Sequence, residues 1–229
     1  SGYYYINNSP VAEFSYSPSP AYEGDTISLL NESYDPDGHS MTAEWRITDP
    51  DGNTTIQNNW DGSINSAIEG DYIVRLNVED EIGFDDQKTK IIEVNHLGIE
   101  GSVDHTNNWR QNHERLGNEP GQFYSGEAFI INAKTNAARE VDKVEVNLES
   151  ERIDGREYNE LITLNQLSVD QFETRYQDET LINPDTKLKD GPMHFTFTAY
   201  YRNGHISEDV VEIEIIGGVY DLIRIRRMN

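Results

Sequence analysis

The residues of this chain best suited to chemistry are oxygen donors in three separated places: Asn7-Asn8-Ser9, Asp35 with Asp37, and Asp80. Ca2+ takes about six to eight hard oxygens at roughly 2.3–2.6 Å, drawn from carboxylates, amide oxygens and carbonyls. The carboxylates of Asp35, Asp37 and Asp80, with the Asn8 side chain and nearby carbonyls, meet that demand if the fold gathers them. Asp35-Pro36-Asp37-Gly38 is equally a good turn without any ion. Calcium is therefore the one cofactor expected, with Asn8, Asp35, Asp37 and Asp80 as its ligands.

Other chemistries find less support. His105 and His113 are eight apart with no further His beside them and no Cys in the chain, so solvated imidazoles are expected in place of zinc ligands. His39, His194 and His205 are scattered. The acidic residues number 42, so carboxylate pairs arise by chance, and none of the common nucleophile, zinc-protease or phosphate-loop motifs is present. No catalytic residues are assigned, and the chain is not expected to be an enzyme. Trp60 and Trp109 are candidate sugar-contacting aromatics; Trp109 serves equally as a plug over a second core, and Trp45 is assigned to the first core.

Composition narrows the partners. The net charge is −24, with 18 basic residues against the 42 acidic ones. Such a field repels nucleic acid and anionic lipid. It suits divalent cations, a salty medium or a basic surface, or simply keeps the protein soluble. Without cysteine there is no disulfide framework or thiolate metal site. No stretch approaches the ~20 apolar residues of a membrane span, so no membrane insertion is expected.

The elements that must position these residues are strands. Val11–Phe14 opens the pattern, and Pro18 and Pro20 confine the next segment to an edge or a loop. Ile27, Leu29 and the run Met41–Thr48 follow, separated by Asp35-Pro36-Asp37-Gly38 and closed by Asp49-Pro50-Asp51-Gly52. Tyr72, Val74, Leu76 and Val78 alternate on one face, and Lys88–Val94 is the last strand of this half. Short strands and frequent turns predict a sandwich. In an immunoglobulin-like sandwich the oxygen-bearing loops cluster at one end, away from the point where the chain leaves. Asn95–Gly98 reads as a linker between domains 1–96 and 97–229. In the second, Thr106–Leu116 is a polar stretch of helical turns or ordered loop, and strands resume over 127–135, 143–149, 161–164, 171–176, 193–201 and 209–216.

The halves echo each other. Tyr22-Glu23-Gly24-Asp25-Thr26-Ile27-Ser28-Leu29 and Tyr124-Ser125-Gly126-Glu127-Ala128-Phe129-Ile130-Ile131 both read Tyr-x-Gly-acid-x-apolar-x-apolar. Gly70 and Gly83 are spaced as Gly191 and Gly204 are. The offset between the halves grows from 102 at Tyr22 and Tyr124 to 121 at Gly70 and Gly191, so the second half carries an insertion between those points. Two related sandwiches, the second elaborated, is the expected fold: all-β, two tandem immunoglobulin-like domains. Tyr201 stands where Asp80 does, so no equivalent cation site is expected in the second half.

Residues 9–94 resemble the PKD (polycystic kidney disease) domain family. The resemblance is carried by Pro10-Val11-Ala12, Tyr22-Glu23-Gly24-Asp25, Ser33-Tyr34-Asp35-Pro36-Asp37-Gly38, Trp45, Glu69-Gly70-Asp71-Tyr72-Ile73-Val74, and Val78-x-Asp80-x-x-Gly83. The family's usual Asp-Phe-Gly-Asp-Gly stretch after Trp is replaced by Arg46-Ile47-Thr48-Asp49-Pro50-Asp51-Gly52, so the chain is a divergent case. Residues 98–229 look similar to an accessory β-sandwich domain of Gram-positive surface proteins, through Gly101–Thr106, Trp109, Asn112, Gly126-Glu127 and Tyr200-x-x-Asn203-Gly204. The resemblance implies an extracellular or cell-wall-associated, non-catalytic spacer or adhesion module, monomeric, meeting protein or polysaccharide at the cell surface. Some calcium-binding relatives carry similar residues at the Asp35, Asp37 and Asp80 positions. The alternative is a carbohydrate-binding accessory of a secreted polysaccharide-active enzyme, for which Trp60 and Trp109 would be the contacts.

Overall fold

The computed structural model describes residues 7–105, 122–124, 128–135, 141–169, 174–181 and 188–216. The chain divides into two compact units, residues 1–96 and 97–229. All regular structure among the described residues is β.

The first unit contains β1 (Phe14–Ser17), β2 (Ala21–Tyr22), β3 (Ile27–Asn31), β4 (Met41–Thr48), β5 (Thr54–Gln57), β6 (Gly62–Ile64), β7 (Gly70–Asp80) and β8 (Asp85–Asn95). They form a three-stranded sheet, β1-β3-β6, facing a five-stranded sheet, β2-β8-β7-β4-β5. Pro18 and Pro20 lie where the chain leaves β1 in one sheet and joins β8 of the other, with β2 parallel to it. A proline cannot donate to a ladder, which suits this change of sheet at the edge. Each strand of the core alternates: Ile27 and Leu29 on β3, Ala43, Trp45 and Ile47 on β4, Tyr72, Val74, Leu76 and Val78 on β7 all face inward and are buried. Trp45 is fully buried and meets Phe14 edge-on at 5.1 Å. Its Nε1 donates to the Trp60 carbonyl at 3.2 Å, which satisfies the indole N–H that burial would otherwise strand.

The segment before β1 is pinned along its length. Val11 bridges Tyr34, and the Ala12 amide donates to Asp86 Oδ2 at 2.9 Å. Glu13 receives Lys88 and Lys90, both at 2.8 Å. Those ammonium groups, Lys88 first, and the Phe14 amide hold the Glu13 carboxyl down to about 2. Residues 7–9 are thereby delivered to one end of the sandwich, where the β3–β4 loop and the β7–β8 turn also lie.

The second unit repeats the plan. Its strands are β9 (Ile99–His105), β10 (Gln122–Tyr124), β11 (Ala128–Thr135), β12 (Val141–Glu151), β13 (Glu157–Thr163), β14 (Asn165–Val169), β15 (Thr174–Leu181), β16 (Gly191–Tyr201) and β17 (Ile206–Ile216). The sheets are β14-β15-β11-β9 and β10-β17-β16-β12-β13. Strand for strand this is the first unit's order, with β14 added to the smaller sheet. Short β10 runs parallel to β17 as β2 does to β8. Gly70 pairs with Val94 at the start of β7, and Gly191 pairs with Ile215 at the start of β16. The repeated sequence spacing is thus a repeated register, and β14 falls within the stretch where the offset grows. The core holds Val144, Val146, Leu148, Met193, Phe195, Phe197 and Ala199, all fully buried.

Two sequence expectations change. Leu97, expected in a linker, is fully buried. Strands β2, β5, β6, β9, β10 and β14 add to those the sequence pattern marks; β5 is exposed along most of its length and has no alternation to betray it. The Thr106–Leu116 stretch, with His113 and Trp109, lies outside the described residues.

Candidate cation site

Asp80 ends β7 and turns its carboxylate back into the β7–β8 hairpin. Its Oδ1 accepts three backbone N–H groups, from Ile82 at 2.9 Å, Gly83 at 2.7 Å and Phe84 at 2.9 Å. Gly83 sits at φ +99°, a conformation open to glycine and costly for a branched residue. The other oxygen, Oδ2, meets the Asn7 amide nitrogen at 2.9 Å. Burial pushes the Asp80 carboxyl up, but the hydrogen bonds from Asn7, Phe84, Ile82 and Gly83 more than offset it and leave it below the usual carboxylate value.

Asp35 comes from the β3–β4 loop. Its Oδ1 accepts the amides of Asp37 at 2.8 Å and His39 at 3.0 Å, the self-capping that makes Asp-Pro-Asp-Gly a stable turn. The Asp35 side chain is only 1% exposed, and Oδ2 has no hydrogen-bond partner. Asn7 Oδ1 and His39 Nδ1 are likewise buried without a partner. His39 Nδ1 is 3.6 Å from Asp35 Oδ1, too long for a hydrogen bond. Ligand atoms of Asp35, His39 and Asp80 all lie within 4.8 Å of one another.

Of the four expected ligands, the structure brings together Asp35 and Asp80. Asn8 and Asp37 pair with each other. The Asn8 amide N–H donates to Asp37 Oδ2 at 2.7 Å, and its Nδ2 approaches both oxygens of Asp37, at 3.3 and 3.1 Å. Asn8 therefore spends donors on a carboxylate at the exposed side of the loop, and its neighbour Asn7 takes the inner place. His39 joins the cluster unannounced; the only sequence signal is its position four residues after Asp35. An orphaned buried acceptor costs roughly 1–3 kcal/mol. Unpartnered atoms on Asp35, His39 and Asn7, with Asp35 and His39 held close to Asp80, are an arrangement that a bound divalent cation could satisfy.

Elsewhere the candidates are weaker. Glu23, Glu69 and His96 approach one another, with His96 Nδ1 at 2.9 Å from Glu23 and 3.4 Å from Glu69, but His96 is half-exposed and the contact is an ordinary surface one. Trp60 is 43% exposed, and its backbone carbonyl accepts the hydrogen bond from Trp45 Nε1. Tyr201, which occupies the Asp80 position of the second unit, is buried and donates its hydroxyl to the Gly98 carbonyl at 2.9 Å. The hairpin backbone is the same: Tyr201 N bonds to His205 O as Asp80 N bonds to Phe84 O. A polar cleft of about 420 Å3 opens beside β12 and β13, lined by Glu149, Glu151, Glu157, Tyr158, Lys189 and His194 among others. Lys189 and His194 are already engaged there, by Glu151 at 2.7 Å and Glu212 at 3.0 Å.

Comparison with solved structures finds β-sandwich proteins. Over 40% of its length the chain is similar to the PKD1 domain of Vibrio anguillarum Epp, at 25% identity, covering 99% of that chain with a TM-score of 0.34. A carbohydrate-binding module from the β-sandwich superfamily matches 91% of the chain and 96% of its own length, at 13% identity and TM-score 0.35. A bacterial ice-binding adhesin matches 92% of the chain over 66% of its own, at 10% identity and TM-score 0.43. No family model and no curated protein matches the chain by sequence.

Proposed function

We propose that the chain is a non-catalytic extracellular spacer or adhesion-type module whose first unit is stiffened by a divalent cation, with Ca2+ the abundant extracellular candidate. The observation that carries the reading is the set of buried acceptors without donors, Asn7 Oδ1 and Asp35 Oδ2, beside the Asp80 carboxylate. Asn7 belongs to the segment entering the sandwich, Asp35 to the β3–β4 loop and Asp80 to the β7–β8 hairpin. A cation bridging them ties that segment to two loops at once and fixes the direction in which the chain approaches the sandwich. Such a fixed approach is what a spacer in a tandem array requires.

The ion adds RT ln(1 + [Ca2+]/Kd) to stability, about 1.4 kcal/mol at tenfold excess over Kd. For a unit of this size that corresponds to a rise of about 4–8 °C per kcal/mol in melting temperature. The test is thermal unfolding in millimolar Ca2+ and in chelator, on wild type, Asp80→Ala and Asp35→Asn. Asp35→Asn keeps an oxygen for the two loop amides and places an NH2 group where the cation would sit. The expected outcome is a Ca2+-dependent rise in wild type that both variants lose. Superimposable wild-type curves in Ca2+ and chelator would overturn the reading.

A further inference from the structure

We propose that the same cluster is a site for a borderline transition-metal ion, Zn2+ foremost, with His39 as its nitrogen ligand, and that this ion takes precedence over Ca2+. The inference rests on the cation-site reading above and adds the ion's identity. Ca2+ takes only oxygens, and typically six to eight of them. Asp35, His39 and Asp80 each bring a ligand atom within 4.8 Å of the others, and Asn7, bonded through Nδ2 to Asp80, carries an unpartnered Oδ1. One imidazole and two carboxylates are three ligands of the kind Zn2+ takes, with a fourth position completing its tetrahedron. Imidazole shifts a mixed site toward zinc, copper, iron or nickel, while carboxylate and carbonyl sets suit calcium and magnesium.

Three further observations point the same way. His39 Nδ1 is buried with no hydrogen-bond partner, so this ring nitrogen is not committed to any other group. The His39 backbone amide is fixed on Asp35 Oδ1 at 3.0 Å, so ring and carboxylate are held on one loop. Asp80 Oδ1 is occupied by three backbone amides, the kind of outer hydrogen bonding that orients a metal-binding carboxylate. Two carboxylates also balance the charge of one divalent ion, which a buried site needs.

The experiment uses the full chain, stripped with chelator, and titrates ZnCl2 and CaCl2 separately by calorimetry. It is repeated on His39→Gln and Asp35→Asn, with Co2+ visible absorption as a direct report of ligand geometry. Wild type is expected to bind one equivalent of Zn2+ more tightly than Ca2+. His39→Gln should weaken Zn2+ by roughly tenfold or more, the scale on which even outer-shell changes move metal affinity, and should lose the Co2+ band. Its Ca2+ response should remain, which also shows that the variant is folded. Asp35→Asn should lose both ions. Unchanged Zn2+ affinity in His39→Gln, or tight Zn2+ binding that survives Asp35→Asn, overturns the assignment. A Ca2+ response with no His39-dependent Zn2+ binding overturns this inference and leaves the calcium clip standing; Zn2+ binding through His39 with no Ca2+ response does the reverse.

Discussion

Trp45 is the largest fully buried side chain among the described residues of the first unit. Its ring meets Phe14 edge-on, and its N–H is satisfied by the Trp60 carbonyl. Gly62 lies against the indole so closely that a Cβ there would come within 3.1 Å of it. Trp45→Ala would lose this packing and leave both a cavity and an orphaned carbonyl. The expected cost is about 3–5 kcal/mol, read as a lowered denaturation midpoint of the first unit; an unchanged midpoint would contradict the placement. Trp45 is legible from the sequence because an aromatic in the middle of a strand between two turns has few other places to go. The proposed cation cluster is legible only in part. Asp35 and Asp80 are marked by turn spelling, whereas the choice between Asn7 and Asn8 depends on which way one residue faces, and alternation inverts that with a single step of register. His39 carries no motif, since its place in the cluster comes from a loop that folds it back onto Asp35.

At the scale of elements, the strands legible in the sequence are those with one buried face. β4, β7, β8, β16 and β17 alternate, and their period of two is visible. Strands β2 and β10 are too short for a pattern, at two and three residues, and gain their place from parallel pairing with β8 and β17. β9 hides for a different reason: it carries a glycine where a side chain would normally mark the inward face. Gly101 stands over Phe197, and a Cβ built on it would lie 2.3 Å from the ring. Phe197 is itself fully buried and has no free direction to move. The Gly101 amide also donates to Asp209 Oδ2 at 2.8 Å, fixing β9 against β17. Gly101→Ala is therefore an overpacking change, expected to destabilise the second unit by about 1–3 kcal/mol. Chemical denaturation should show a lower midpoint with an unchanged slope; equal midpoints would mean that β9 can step away from the sheet without cost.

Across the whole molecule, charge acts on stability in a way that no single contact reveals. A net −24 over 229 residues sets up repulsion that the folded chain concentrates and the unfolded chain dilutes. Surface pairs such as Lys143 with Glu145 at 2.7 Å and Lys134 with Glu100 at 2.8 Å use some of the few cations but leave the excess untouched. Monovalent salt should screen this repulsion, because the Debye length falls from about 30 Å at 0.01 M to about 3 Å at 1 M. Melting temperature is thus expected to rise with NaCl across that range, opposite to a protein held together by surface ion pairs. The two cation effects separate cleanly. Screening acts on the molecule as a whole, so wild type and Asp35→Asn should gain alike from NaCl. The gain expected from the proposed site should saturate at low divalent concentration and vanish in Asp35→Asn. Melting curves in a NaCl series, with and without a fixed low concentration of divalent ion, resolve them. A flat or falling NaCl response would show that the acidic surface is already spaced widely enough not to oppose folding.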